Sequence, residues 1–214
     1  MITIYSLFRD VTEKNIRRYF DQLAAQSFKW FQVAAIEGDS KDSTYESLKA
    51  IGARQPYRVT VLKHDTGKPR YGSVENQDRF NLLSEMVNYG FDHHPISEIG
   101  LHIESDLIIP PNMISTLLEK ADSNTAVSPT ILAGEVNYDI WAFRKNGQRL
   151  SPFEHPTERY VKMYSTGSIL MFPGQPVKEG LRYREECIKT FTEDLIKRGI
   201  QVYWDTACIV RHPL

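Results

Sequence analysis

Along this chain the spacing of hydrophobic positions switches repeatedly between the periods of strands and helices. Ile2 and Ile4 open a short strand-like run. Ile16, Tyr19, Phe20, Leu23 and Ala24 then recur at i, i+3, i+4, i+7 and i+8, which is one buried face of a helix. Asp10 with Glu13 three residues on reads as its cap. Phe31–Ile36 is an uninterrupted apolar run, as in a strand covered on both faces, and it ends in the turn Glu37-Gly38-Asp39-Ser40. Ser43 is placed to cap a second helix carrying Tyr45, Leu48 and Ile51, which Gly52 stops. Tyr57, Val59 and Val61 alternate as a third strand. A loop with Gly67, Pro69 and Gly72 follows, then a helix from about Glu75 to Val87.

The next strand bears the most informative pattern. Ile99, Leu101 and Ile103 share one parity, and His102, Glu104 and Asp106 the other, so the two carboxylates project from one face. His102 lies deeper on that face and reads as a satisfied core or support residue. Pro111 fits the first position of a helix with Met113, Ile114, Leu117, Leu118 and Ala121 inward.

Four strand–helix alternations predict a mostly parallel central sheet flanked by helices, an α/β domain. Ligands bind such sheets beyond the carboxyl ends of the strands. Phe8–Asp10, Glu37–Asp39, His64–Asp65 and Glu104–Asp106 all fall at such ends. After residue 125 the pattern becomes strands and loops. Thr125–Ile131, Tyr138–Phe143 and Val161–Phe172 read as strands, followed by a helix over about Arg184–Arg198 and a last strand over Gln201–His212. No linker separates the halves. We expect a single domain, with residues 1–124 forming a nucleotide-binding half and 125–214 an acceptor-binding half.

Composition narrows the function. With 26 basic and 27 acidic residues among 214, no overall attraction to nucleic acid or to a membrane surface is expected. The two cysteines are too few for a disulfide framework and lack metal-knuckle spacing. No segment approaches the ~20 apolar residues of a membrane span, and MITIYSLFRD does not read as a signal peptide. The expected location is cytoplasmic. No GxGxxG, GxxxxGK[ST] or GxSxG occurs, which disfavours dehydrogenase, P-loop and α/β-hydrolase chemistry.

Glu104-Ser105-Asp106 carries the candidate chemistry. Hard oxygen ligands one residue apart on a strand end suit Mg²⁺ or Mn²⁺, which would neutralise charge on a departing diphosphate. Arg9, Arg70 and Arg79 are candidates to pair with diphosphate oxygens. Tyr138, Asp139 and Trp141 look like a sugar-contacting edge.

The order of elements resembles a GT-A glycosyltransferase, family-2-like, over nearly the whole chain. The resemblance identifies Glu104-Ser105-Asp106 with the DxD motif. Glu104 replaces the first Asp, which makes Asp106 the firmer ligand. It implies donor contacts at Phe8, Arg9, Asp65, Arg79, Glu104 and Ser105, with Glu37 and Asp39 in IEGDSKDST contacting base and ribose. It also implies a catalytic carboxylate in Thr192-Glu193-Asp194, Asp194 ahead of Glu193, and His212 in CIVRHP as a further metal ligand beside Glu104 and Asp106. A narrower similarity, to fungal capsule and mannan mannosyltransferase groups, rests on ESDLIIPP, YDIWAFRKNGQRLSP and TGSILMFPGQPV, the last containing Gly167. If that similarity governs, the enzyme is retaining and Asp194 orients the acceptor.

With only two residues after His212, the C-terminal lid of many relatives is not expected. Closure falls to Gly134–Asn137 or Gly147–Thr157. The implied activity is metal-dependent transfer of a sugar from a nucleoside diphosphate donor to a hydroxyl acceptor, which is a glycan, a lipid-linked sugar or even a hydroxylated nucleic-acid base. The rivals are a sugar-nucleotide nucleotidyltransferase, disfavoured by the glycine-free YSLFRDVTEK, and a non-catalytic nucleotide- or carbohydrate-binding domain of the same fold.

Overall fold

The computed structural model describes residues 1–72, 75–138 and 140–213. In chain order the elements are β1 (Ile2–Phe8), α1 (Glu13–Ala24), β2 (Phe31–Glu37), α2 (Thr44–Gly52), β3 (Arg58–Lys63), α3 (Gln77–His93), β4 (Ile99–Ile103) and α4 (Met113–Leu118). Then come β5 (Thr125–Ala133), β6 (Val136–Asn137), β7 (Arg144–Lys145), β8 (Gln148–Arg149), β9 (Tyr160–Lys162), β10 (Ile169–Pro173), α5 (Gln175–Lys178), α6 (Ile188–Lys197) and β11 (Gln201–Arg211).

The main sheet runs β3-β2-β1-β4-β10-β5-β11-β9, with β6 on β5. β3, β2, β1 and β4 are parallel, as the alternation predicts. β10 is antiparallel to both β4 and β5, while β11 is parallel to β5. The carboxyl ends of β4, β5 and β11 therefore reach the same rim as those of β1 and β2. That is why residue 212 meets residue 106.

The period-2 pattern sorts side chains onto two cores. Ile2, Ile4, Leu101 and Ile103 pack with Ile16, Phe20, Leu48 and Ile114 on the α1/α2/α4 face. Tyr5, Ala34, Ile36 and Phe172 pack with Val87, Phe91, Phe191 and Leu195 on the α3/α6 face.

Local details differ from the sequence reading. Thr12, not Asp10, caps α1, its side chain accepting from Asn15 N. Asn76 caps α3, which runs on to His93 because apolar positions continue through Phe91. Ser43 stands at the start of α2 but makes no side-chain cap bond. The prolines at 110 and 111 end up outside α4, whose N-cap is Asn112. The stretch Tyr138–Phe143 is not a strand in its described residues but turns that lead into the β7–β8 hairpin. Val161–Phe172 splits into β9 and β10. Helix α6 begins at Ile188, not Arg184, because Cys187 at φ 52 breaks the helical backbone immediately before it.

Candidate functional site

A cleft of about 570 Å³ opens at the carboxyl ends of β1, β2 and β4. Phe8, Arg9, Asp39, Arg79, Glu104, Ser105, Asp106, Tyr138, Trp141 and His212 all line it, bringing together most of the residues expected from sequence.

The acid loop is held from below by α1. Gln22 Nε2 donates to Leu107 O (3.2 Å) and its Oε1 accepts from Ile109 N (2.9 Å). One turn on, Gln26 Nε2 donates to Pro110 O (2.8 Å) and its Oε1 accepts from Ile114 N (3.1 Å). Arg18 donates to Asp106 O at 3.1 Å. Gln22 in the last turn of α1 and Gln26 just past its end thus satisfy a loop whose prolines cannot join a ladder. Ser105 Oγ donates to Leu7 O at 2.7 Å, tying the loop to β1.

On this mount the Asp106 carboxylate stays 57% exposed, with His212 Nε2 at 3.5 Å from Oδ2. His212 N donates to Leu132 O, and Arg211 exchanges backbone bonds with Ile108. Tyr138 stacks on the His212 ring, centroids 4.0 Å apart. Among the described residues no three acidic, imidazole or thiol groups converge as a complete metal cage. A carboxylate and an imidazole still suit a cation that also takes diphosphate oxygens and water, the usual habit of Mg²⁺ and Mn²⁺ sites.

The opposite end of the cleft is strapped by the segment after β3. Arg9 donates to Lys68 O (2.8 Å) and Pro69 O (3.2 Å), and Arg70 lies 3.5 Å from Asp10. Asp39 accepts from Thr66 Oγ1 (2.6 Å) and Gly67 N (2.8 Å). Burial opposes ionisation of Asp39, but these hydrogen bonds and the Arg9 charge win and hold its carboxyl below the ordinary value. Asp65 does not line the cleft; its Oδ1 accepts from Asp39 N at 3.0 Å. Glu37 is buried, and its Oε1 accepts from Ser40 N at 3.0 Å, supporting the turn from beneath.

The third wall comes from α3 and α6. Arg79 sits over Phe80, 5.9 Å from the ring centroid, and Phe80 stacks on Trp141 at 4.4 Å. Helix α6 presents its amino end, Cys187 and Ile188, to the cleft. Burial pushes the Cys187 thiol up to about 12, which leaves it inert as a nucleophile.

The structure does not bring Glu193 and Asp194 to this cleft. Asp194 Oδ2 takes two N–H groups from Arg184 (2.9 and 2.7 Å) and Oδ1 takes Lys197 (2.9 Å). Glu193 pairs with Lys189 at 3.4 Å beside a separate pocket. Gly167 is buried between β9 and β10, next to Ser168, which does line the cleft. Asp139 lies outside the described residues.

His102 is not the satisfied core residue that its depth implied. It lines the cleft, its Nδ1 has no hydrogen-bond partner, and burial holds its pKa down to about 4. Asp10, which the strand-end rule reaches, also lines the cleft, as do Tyr71, Met86 and Cys187, which no local signal marks.

No family model matches the chain, and no curated protein matches it. Solved structures do. The chain superposes on GalNAc-T7 crystallised with UDP, GalNAc and Mn²⁺ (TM-score 0.70, 12% identity), covering 100% of this chain and 43% of that one. It also superposes on the mannosyltransferase PcManGT of Pyrobaculum calidifontis in complex with GDP-Man and Mn²⁺ (0.68, 12%), covering 98% and 56%. A third match is S. aureus TarS 1-349 in complex with UDP-GlcNAc (0.68, 15%), covering 100% and 58%. The chain spans about half the length of these neighbours. At such identities the likeness establishes architecture: this chain has the fold of GT-A type glycosyltransferases.

Proposed function

We propose that this chain transfers a sugar from a nucleoside diphosphate donor to a hydroxyl acceptor, with the donor in the strand-end cleft. The observation that carries the reading is the Asp106–His212 pair, 3.5 Å apart, on a cleft that Arg9 and Arg79 also line. The three neighbours are named with UDP, GDP-Man or UDP-GlcNAc, and two of them with Mn²⁺, which supports the same donor class here.

Asp106 and His212 would hold Mn²⁺ or Mg²⁺, with Glu104 assisting; the imidazole nitrogen favours Mn²⁺, since Mg²⁺ sites are nearly all oxygen. When bound, the ion neutralises charge on the departing diphosphate. Arg79 gives charge-assisted hydrogen bonds to the diphosphate oxygens, while Arg9, which donates to Lys68 O and Pro69 O, holds the strap at the nucleoside end. Adjacent strands lie ~4.8 Å apart. A diphosphate at the end of β4 therefore places its nucleoside beyond β1 towards Asp39, two strands away, with Phe8 and the strap as its walls. The sugar then lies on the other side, near Trp141 and Ser168.

In the reaction the acceptor oxygen bonds to the anomeric carbon, and the bond from that carbon to the diphosphate oxygen breaks. The electron pair leaves with the diphosphate, and the acceptor's proton passes to the departing diphosphate oxygen or to solvent. The proposal assigns no proton acceptor to α6, which brings Cys187 and Ile188 to the cleft.

The test is thermal unfolding with UDP, GDP, CDP and dTDP, with and without Mn²⁺. One diphosphate at 100 times its Kd should add about 2.7 kcal/mol in the presence of the metal. Asp106→Ala should abolish the metal-dependent part. No shift with any diphosphate at millimolar concentration, or an unchanged shift in Asp106→Ala, overturns the reading.

A further inference from the structure

The Tyr138–His212 ring pair does more than fill space at the end of β5. The two rings stack with centroids 4.0 Å apart and planes at 22°. Both residues hang from neighbouring positions of one strand: Tyr138 N donates to Ile131 O and His212 N donates to Leu132 O, each at 2.8 Å. Asp106 hangs from the loop that Ile108 ties to Arg211 through two backbone bonds of 2.8 and 3.0 Å. Backbone, carboxylate and imidazole are thus fixed to one frame.

Those backbone bonds leave the two side-chain torsions of His212 unset. The ring of a histidine rotates about a broad, roughly two-fold torsion, and only some of that range aims Nε2 at Asp106. A nearly parallel aromatic face at 4.0 Å restricts it, because turning the imidazole out of plane would break the stack.

We propose that Tyr138 is a positioning residue: its ring sets the plane of the His212 imidazole, so that Nε2 and the Asp106 carboxylate present a preset pair to a divalent cation. This rests on the reading that Asp106 and His212 hold that cation. It moves Tyr138 from the sugar-contacting edge expected from sequence to the support of a metal ligand. Outer supports of this kind alter metal affinity tenfold to a hundredfold when removed.

The experiment is direct Mn²⁺ titration, following free Mn²⁺ by electron paramagnetic resonance, with and without UDP or GDP. Tyr138→Phe should bind Mn²⁺ like the wild type, because it keeps the stacked face. Tyr138→Leu should bind about tenfold more weakly or worse, and should have no further effect in a His212→Ala background. Wild-type affinity in Tyr138→Leu, or an equal loss in the His212→Ala background, overturns the proposal while leaving the cation site standing. Equal Mn²⁺ binding by wild type and His212→Ala removes the cation site itself, and this proposal with it. A measurement needing no variant guards against a folding defect: the His212 ring protons should resonate upfield of ordinary histidine positions through the ring current of Tyr138. Unshifted His212 ring signals would overturn the stack.

Discussion

Asp194 is the residue for which sequence and structure point to different work, and its replacement separates them. Its carboxylate is 15% exposed and takes a two-pronged grip from Arg184 on one oxygen and Lys197 on the other. Hydrogen bonds to charged groups contribute ~1.5–3 kcal/mol when shielded, and exposed pairs ~0–1 kcal/mol. Arg184 is 48% exposed and Lys197 69%, so the pair of contacts is discounted to ~1–2 kcal/mol. For a domain of this size that corresponds to a fall in Tm of ~2–8 °C on Asp194→Ala.

The grip also has a pH signature. Burial opposes ionisation of Asp194, but Lys197 and Arg184 hold the carboxyl below its ordinary value. A group whose folded pKa is lowered stabilises the protein fully above the unfolded value of about 3.8. That contribution is lost as pH falls through the folded value, and Asp194→Asn should flatten this acid limb. Nucleoside diphosphate binding should survive, because neither oxygen reaches the cleft. Weakening of sugar transfer should stay within about tenfold, through loosening of the turn that carries Cys187 and Ile188. An Asp194→Asn protein with wild-type Tm and more than a hundredfold loss of transfer would refute the structural assignment and return Asp194 to the chemistry.

Gly38→Ala should cost ~1–3 kcal/mol, because the new Cβ would lie 2.3 Å from the His64 carbonyl oxygen and 2.6 Å from Met86 Cε; urea unfolding measures it, and an unchanged midpoint refutes the crowding. Thr66→Val removes one donor from Asp39 without changing side-chain volume much. Diphosphate affinity, measured by calorimetry, should rise about threefold if the strap and the ribose compete for that carboxylate, and weaker binding would make the strap part of the site instead. Arg159→Ala strands the fully buried Asp205, which accepts from Arg159 at 3.3 and 3.2 Å. Discounted for an arginine 38% exposed, the loss should be ~2–3 kcal/mol in thermal or urea unfolding, and a loss under ~0.5 kcal/mol would show that water replaces the arginine.

The half of the fold built from alternating strands and helices was legible because each element there carries its own period. β4 shows this most directly: the parity that buries Leu101 and Ile103 necessarily turns His102 and Glu104 to the other face. The second half was harder to read because its strands are short and partly antiparallel, so a run such as Val161–Phe172 conceals the break between β9 and β10. The misplaced start of α6 had a different cause. Ile188, Phe191 and Leu195 define the buried face, but a periodic face does not mark where a helix begins. No side-chain cap is made at Cys187, and its φ of 52 is not a conformation that a cysteine advertises. The amino end of α6 thus brings Cys187 and Ile188 to the cleft, while Glu193 and Asp194, expected there from the resemblance alone, lie more than a turn further along the helix.

The acids at the strand ends show a second limit that no pattern resolves. Sequence placed Glu37, Asp39, Asp65, Glu104 and Asp106 together as candidate ligand contacts, and all five sit near one rim. What separates them is the supply of local donors. Glu37 is used by Ser40 N, Asp65 by Asp39 N, and Asp39 by Thr66 and Gly67. These carboxylates replace the hydrogen bonds that turning backbone would otherwise leave unmade. Asp106 is mounted differently: its loop is satisfied through backbone atoms by Gln22, Gln26 and Arg18. Its carboxylate therefore has no structural duty to its own loop and remains 57% exposed beside an imidazole. A carboxylate relieved of local hydrogen bonding, on a backbone held rigidly by others, is the one able to exchange water for a cation without unravelling the turn that carries it.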